Sequence, residues 1–258
     1  MIKVTNFTKI YKLSKKQMNE YKVKSKEKIA ANRINFEAKE GEIFGLLGPN
    51  GAGKTTILRS IATLLKPTEG TIEVMGFDVV NDSKEVRRRI GFLTNDLKMD
   101  SHFTPDYTFK FFGKLHSLED HVIEERQKYL FNYFGIEGYA NKKISELSTG
   151  MTQKLAIAVS LVHDPDVVIF DEPTNGLDII TAKAVTDYLQ ELKKQGKLII
   201  VSTHIMAVAE KLCDRIAIII NGVKIIEGTI DEVVSDSDAL SLEDAFFSLY
   251  RKHSKEVV

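Results

Sequence analysis

The sequence lacks several features that whole classes of protein require. It has a single cysteine, Cys213, which excludes an intramolecular disulfide and a cysteine-cluster metal site, and a buried inert thiol is expected. No stretch approaches 18 consecutive apolar residues, and the start has no long apolar segment, so neither a membrane-spanning helix nor a secretory signal is predicted. We therefore expect a cytosolic protein that reaches a membrane only through a partner.

The sequence also lacks an excess of charge of either sign. Its 36 Lys and Arg residues balance 36 Asp and Glu residues. Proteins that bind nucleic acid through a bulk positive field need a basic excess, so no nucleic-acid partner is expected. With 258 residues, 43% of them hydrophobic, the chain is long enough to bury a sizeable core in one large domain or two small ones.

One segment, residues 12–28, departs locally from this balance, with seven lysines and two glutamates. It is too polar to hold a core, and we interpret it as a solvated loop or a charged hairpin. A basic contact to anionic lipid headgroups near a membrane partner is the alternative. Alternating polar and apolar residues on either side of it, at 2–7 and at 34–38, predict half-buried strands.

The rest of the chain alternates predicted strands and helices, as an α/β protein does. Continuous apolar runs at 167–170, 198–201 and 216–220 suit strands that are buried on both faces of a parallel sheet. Apolar residues at helical spacing predict a helix over 57–65, which Pro67 ends, and a nearly all-apolar helix over 153–162.

Residues 96–146 are aromatic and helical in pattern, and we interpret them as a helical subdomain inserted into the α/β core. Thr104 and Pro105 look like the N-cap and first position of a helix. The aromatic residues are expected to form the small core of this subdomain; they are Tyr107, Phe109, Phe111, Phe112, Tyr129, Phe131, Tyr133 and Phe134.

A glycine-rich run between a predicted strand and a predicted helix fits the phosphate-binding P-loop pattern. Its residues are Gly48, Pro49, Asn50, Gly51, Ala52, Gly53, Lys54, Thr55 and Thr56. Glycines let backbone N–H groups approach phosphate oxygens, and the helix that follows points its positive end at them. Lys54 would contact the β- and γ-phosphates, and the Thr55 hydroxyl would bind Mg²⁺.

A second chemical element follows the buried strand over 167–170. Asp171 and Glu172 come at its carboxyl end, where ligands of open α/β sheets gather. Asp171 could hold Mg²⁺ through water, and Glu172 could orient or deprotonate the attacking water. Two acids at such a strand end favour a bound cation over a plain surface turn.

With both elements in place, the sequence resembles an ATP-binding-cassette (ABC) ATPase from about residue 2 to residue 228. The resemblance implies an α/β P-loop NTPase fold of the ABC ATPase type, with a mostly parallel core sheet, an N-terminal antiparallel β subdomain and the inserted helical subdomain. Its domains would be residues 1–95 with 147–228 for the core, 96–146 for the helical subdomain and 229–258 for a C-terminal helical extension. ATP and Mg²⁺ are the expected cofactors.

The resemblance also implies roles for residues outside the two elements. Tyr11 would stack on adenine and His204 would contact the γ-phosphate and the attacking water. Leu147-Ser148-Thr149-Gly150-Met151 resembles the signature motif, in which Ser148 and Gly150 face the γ-phosphate that a second subunit binds. Asp178 falls in the position of the D-loop. Asn95 stands where the family has a glutamine that reaches Mg²⁺, and neighbouring Asp96 is the alternative.

Besides Asn95 and the lysine-rich insert after Tyr11, the signature motif departs from the family pattern at two positions: Thr149 replaces a glycine and Met151 replaces a glutamine. This variant and the C-terminal Leu242-Glu243-Asp244-Ala245-Phe246-Phe247 resemble the exporter branch with separate membrane subunits, which includes sodium-efflux and drug exporters. The resemblance therefore implies a transport ATPase that works as a homodimer on the inner face of the cell membrane, bound to a polytopic permease subunit. A soluble regulatory or translation-associated ABC ATPase is the alternative, and a P-loop nucleotide kinase is a third possibility.

Overall fold

Two β-sheets form the framework of the fold. The computed structural model describes residues 1–20, 25–94 and 99–254. Their strands are β1 (Ile2–Lys12), β2 (Glu27–Ala38), β3 (Ile43–Leu47), β4 (Glu69–Val74), β5 (Phe77–Asp78), β6 (Ile90–Leu93), β7 (Val167–Asp171), β8 (Leu198–Thr203), β9 (Arg215–Ile220) and β10 (Val223–Thr229). Strands β5 and β10 were not expected from the sequence.

The larger sheet has six strands in the order β10-β9-β3-β8-β7-β6. Its pairs from β9 to β6 are parallel, and β10 adds an antiparallel edge. Every residue of β3, β7 and β8 is buried, which explains their continuous apolar sequences. The parallel direction brings the carboxyl ends of β3, β7 and β8 to one edge of the sheet.

The smaller sheet is antiparallel, in the order β2-β1-β4-β5. The long hairpin β1–β2 extends into the basic segment, since Lys12 pairs with Glu27. Of the two conformations expected for residues 12–28, the described residues 12–20 and 25–28 show a charged hairpin, and they add the short helix α1 (Lys15–Glu20). The α/β fold with a mostly parallel core sheet and an antiparallel N-terminal sheet is confirmed.

Helices cover both faces of the parallel sheet. They are α2 (Lys54–Ile61), α3 (Ser83–Arg89), α4 (Pro105–Leu115), α5 (Asp120–Phe134), α6 (Thr149–Ser160), α7 (Ile179–Lys194), α8 (Met206–Leu212), α9 (Ile230–Asp236) and α10 (Leu242–Ser254). None of the helices in the described ranges is long and apolar enough to cross a membrane.

The predicted end of α2 was wrong. The helix ends at Ile61 and not at Pro67, because Thr63 adopts a left-handed conformation with φ +65°. Leu64 lies beyond this turn and is 59% exposed, so its helical spacing in the sequence was coincidental. The predicted start of α4 is confirmed: Pro105 is its first residue, and the Thr104 hydroxyl accepts a hydrogen bond from the Tyr107 amide.

The aromatic residues of α4 and α5 only partly form a core. Phe109, Phe131 and Phe134 are buried and pack with one face of the parallel sheet. Tyr107 and Phe111, with Tyr129, are 41–49% exposed, so the expectation that all of these rings are core residues was wrong. The division of the chain into a core, a helical subdomain and a C-terminal extension stays a prediction.

The cysteine expectation is confirmed. Cys213 is buried, and burial raises the pKa of its thiol to about 12. A thiol with that pKa is protonated and unreactive at neutral pH.

Candidate functional site

The glycine-rich run forms a loop that closes between β3 and α2. Residues 50–56 line one wall of a cavity of about 450 Å³. Gly51 and Gly53 have φ values of +81° and +107°, which L-residues with side chains rarely adopt. The loop therefore needs glycine at these positions to turn into the N-terminus of α2.

Close packing holds this loop in place from two sides. A Cβ added to Gly53 would lie 2.2 Å from the carbonyl oxygen of Ala30 in β2, and one added to Gly48 would lie 2.2 Å from that of Ile219 in β9. The Gly222 amide, in the turn between β9 and β10, donates a hydrogen bond to the Ala52 carbonyl. Contacts with β2, β9 and the turn after β9 thus hold the loop in place.

Lys54 is the buried cation of the cavity, with 5% of its side chain exposed. Its ammonium donates hydrogen bonds to the carbonyl oxygens of Gly48 at 2.6 Å and Pro49 at 3.1 Å. It also lies 3.8 Å from Glu172 Oε1. Burial lowers the pKa of Lys54, while the nearby carboxylates of Glu172 and Asp171 act in the opposite direction. The charge is therefore held in place by acids and carbonyl groups.

Asp171 and Glu172 stand at the end of β7, as predicted. Asp171 is 7% exposed and accepts a hydrogen bond from the Ser202 hydroxyl of β8. The Glu172 amide donates to the same hydroxyl oxygen at 3.1 Å. Glu172 has a φ of +52°, a strained conformation for a residue with a side chain, which is the kind of strain that functional sites retain. Together these contacts turn the Glu172 side chain into the cavity.

His204 follows β8 and lies beside Glu172. Its Nδ1 is 3.1 Å from Glu172 Oε1, and the Asn175 side-chain amide donates to Oε2 at 3.1 Å. Because a carboxylate only accepts hydrogen bonds, Nδ1 carries the proton in this contact. Both oxygens of Glu172 are thus oriented by neighbours, and the contact between Glu172 and His204 was not foreseen from the sequence.

The hairpin β1–β2 supplies the opposite wall of the cavity. Tyr11 lies here with Lys12, Leu13, Lys28 and Ala30. The Tyr11 hydroxyl is 3.4 Å from the Thr56 hydroxyl, so the ring stands directly over the end of the glycine-rich loop. The extended basic segment therefore leaves Tyr11 in the cavity, where a flat ring could stack on it.

Ser148, Gly150 and Asp178 form a second cluster and are not among the residues that line the cavity. Ser148 is the N-cap of α6 and accepts from the Met151 amide. Asp178 is the N-cap of α7 and accepts from the amides of Ile180 and Thr181. A Cβ built on Gly150 would lie 3.3 Å from the Thr181 hydroxyl, so the two helix starts are neighbours.

The remaining predicted residues are Asn95, with its alternative Asp96, and Thr55. Asn95 and Asp96 lie outside the described residues. Thr55 lines the cavity beside Lys54.

Sequence reasoning missed two residues of the site. Ser202 joins Asp171 to the backbone of Glu172, and Asn175 orients the Glu172 carboxylate. Ser202 was foreseeable, because it is a polar residue at the carboxyl end of a buried strand next to the one that carries Asp171. Asn175 stands in an irregular turn whose conformation the sequence pattern does not indicate.

Comparisons with known proteins agree with this geometry. A family profile described as ABC transporter matches residues 31–175. The chain belongs to the ABC transporter family. One relative, the ABC transporter ATP-binding protein NatA of Bacillus subtilis, is 40% identical over 220 residues, which cover 85% of this chain and 89% of that protein. The Nod factor export ATP-binding protein I of Burkholderia lata is 39% identical over 202 residues, which cover 78% of this chain and 66% of that protein.

A solved structure extends the likeness from sequence to conformation. A dimeric ATP-binding cassette in a post-hydrolysis state, bound to ADP and phosphate, has a TM-score of 0.78 and 28% identity, and the match covers 89% of this chain and 98% of that one. The chain is thus an ATPase of the ABC type, and ATP is its nucleotide.

Proposed function

We propose that this ABC ATPase energises export through a separate polytopic membrane subunit, and that it binds and hydrolyses ATP as a homodimer. The observation that carries the proposal is the convergence of the residue 50–56 loop, Tyr11 and Glu172 on one cavity, with His204 in contact with the Glu172 carboxylate. The names of the NatA and Nod factor export relatives support the transport role. Sodium or drug efflux is the substrate class suggested by the exporter branch.

In this proposal the cavity binds ATP with its adenine on Tyr11 and its phosphates on the loop. The N–H groups of the loop, the start of α2 and the Lys54 ammonium all favour the negative charge of the β- and γ-phosphates. Lys54 would exchange its carbonyl partners Gly48 and Pro49 for phosphate oxygens. Charge-assisted hydrogen bonds to phosphate are stronger than those to neutral carbonyls, so this exchange is favourable.

The donor set also fits Mg²⁺. Thr55 and Asp171 offer a hydroxyl and a carboxylate, and the described residues contain no group of three or more His, Cys, Asp or Glu side chains that could hold a metal by itself. Mg²⁺ characteristically takes one or two protein ligands and completes its shell with water and substrate phosphates. When bound, it would neutralise charge that develops on the phosphate oxygens.

Glu172 is placed to act on the attacking water. Its carboxylate, held between His204 and Asn175, would orient the water in line with the γ-phosphate and accept its proton. The oxygen of the water forms a bond to phosphorus as the bond to the β–γ bridging oxygen breaks, which yields ADP and phosphate. His204 would keep the carboxylate oriented and contact the γ-phosphate through its other ring nitrogen.

The second cluster supports a role for a second copy of the chain. Ser148, Gly150 and Asp178 stand at exposed helix starts outside the chain's own cavity, where they could complete the cavity of a partner. Ile179 and Ile180, which follow Asp178, are 87% and 80% exposed. Apolar side chains with that exposure suit a surface that a second subunit covers when ATP is bound.

An exposed row of aromatic rings, which begins just before α4 and continues along it, supports the membrane subunit as a partner. Phe103, Tyr107 and Phe111 are 38–49% exposed and follow one another at four-residue spacing along one face. Their ring centroids lie 4.5 Å and 6.3 Å apart. Exposed aromatic rings of this kind are typical anchors of protein interfaces. The row lies in the helical region through which motion would pass to the permease.

Tyr107→Glu tests this assignment. We expect it to abolish co-purification with a polytopic membrane protein from detergent-solubilised membranes, because it places a charge in the centre of the aromatic row. Phe247→Glu, at a ring of α10 that is 45% exposed, is the matched control and should retain the partner. ATP hydrolysis by both isolated variants should equal that of the wild type. Recovery of ribosomes in place of a membrane protein would support the soluble alternative and count against export.

A further inference from the structure

The two ends of the basic segment form part of the wall of the nucleotide cavity. Lys12 and Lys28 both line it, next to Tyr11 and opposite the glycine-rich loop. Lysines that line the cavity are not expected of a hairpin that is merely solvated. The two side chains are exposed at the cavity mouth, so they can reach a bound ligand without the cost of burying a charge.

The backbone fixes where these lysines point. In the β1–β2 hairpin Lys28 pairs directly with Tyr11, and the hairpin continues to a hydrogen bond from the Leu13 amide to the Lys26 carbonyl. Residues 28 and 30 of a strand lie on the same face. In agreement with this alternation, Lys28 and Ala30 both line the cavity.

The charge of the cavity exceeds what the loop itself supplies. Its lining contains four basic residues, Lys12, Lys28, Lys54 and Arg59, and one acidic residue, Glu172. Half of this positive charge comes from the hairpin. A strongly anionic ligand such as a nucleoside triphosphate gains from every cation around it, and opposite charges a few ångströms apart at a protein surface attract appreciably.

We propose that Lys12 and Lys28 form a cationic wall that strengthens binding of the polyphosphate chain of ATP. The proposal rests on the proposed function, which places the nucleotide in this cavity. The wall would act on nucleotide affinity and on the preference for triphosphate over diphosphate, because a triphosphate carries more negative charge. Because both lysines are exposed, their effect should be weakened by salt.

The test is calorimetric titration of the full chain with ATP and with ADP, at low and at high ionic strength. We expect Lys12→Ala with Lys28→Ala to lower ATP affinity by about five- to twentyfold at low salt, from two exposed charge contacts. The loss should be smaller for ADP and should shrink for both at high salt. Lys12→Arg with Lys28→Arg keeps the charges and should restore most of the affinity.

Lys15→Ala with Lys16→Ala is the matched control. Both lysines are exposed on α1, in the same segment, and neither lines the cavity. This variant removes the same net charge as the alanine pair at 12 and 28, but because neither lysine lines the cavity it should leave ATP affinity at the wild-type value. An equal loss of ATP affinity in the control would show a general charge effect and overturn the proposal.

Two other results would overturn the proposal. One is unchanged ATP affinity in the alanine pair. The other is a loss of affinity that is equal for ATP and ADP and independent of salt. Such a loss would mean that the substitutions had displaced Tyr11. Failure of the proposed function would give a different result. The wild type itself would then bind no ATP, and the proposal for Lys12 and Lys28 would be wrong as well.

Discussion

Glu172→Gln is expected to lower the rate of ATP hydrolysis by about 10²- to 10⁴-fold while ATP binding is retained. The amide has nearly the same shape as the carboxylate, but it accepts no proton from the attacking water. The hydroxyl of Ser202, which receives a hydrogen bond from the backbone of residue 172, keeps that backbone in place. Lys54 and the glycine-rich loop, which would bind the phosphates, remain unchanged.

Phosphate release and ATP titration measure the two halves of this prediction. Glu73→Gln is the matched control, because Glu73 is an exposed acid of β4 that is not among the residues lining the cavity. It should leave both quantities unchanged. Turnover at the wild-type rate in Glu172→Gln would exclude Glu172 as the group that activates water.

The second large effect is expected from Gly53→Ala. The methyl group would lie 2.2 Å from the Ala30 carbonyl oxygen, and an L-residue rarely adopts the φ of +107° that this position requires. The loop must therefore move away from β2 and lose the inward direction of its N–H groups. Loss of two hydrogen bonds to charged phosphate, at about 1.5–3 kcal/mol each, corresponds to a fall in ATP affinity of about 100-fold or more.

Gly41→Ala separates this clash from backbone strain alone. Gly41 also has a positive φ, +72°, but a Cβ there would meet no atom within 4 Å. It should cost stability without changing ATP affinity, whereas Gly53→Ala should lose ATP binding even where thermal unfolding shows that it is folded. Equal ATP affinity in Gly53→Ala and the wild type would mean that the loop does not bind the phosphates.

The sequence indicated the chemical groups of the site better than their arrangement. The loop and the two acids at the end of β7 were predicted because short motifs at the ends of buried strands carry a strong local signal. The role of the histidine after β8 was implied by the family resemblance. Their meeting depends on the parallel order β3-β8-β7, which places three distant segments at one edge. Ser202 belongs to the site only through this order.

Exposure was the property that the sequence pattern indicated least well. Tyr107 and Phe109 are both aromatic residues of α4, yet one is 49% exposed and the other is fully buried. The helix face that packs against the sheet decides this, and residue type alone does not. Lys12 and Lys28 are a similar case. Only the pairing of β1 with β2 brings them to the cavity, and the sequence pattern did not indicate the register of this pairing.

The most direct test of the account is the structure of the Glu172→Gln variant with ATP and Mg²⁺. We expect the adenine on Tyr11, the phosphates on residues 50–56 with Lys54, and the γ-phosphate facing Ser148 of a second copy. An empty loop around Lys54, or a nucleotide bound elsewhere on the chain, would contradict the account.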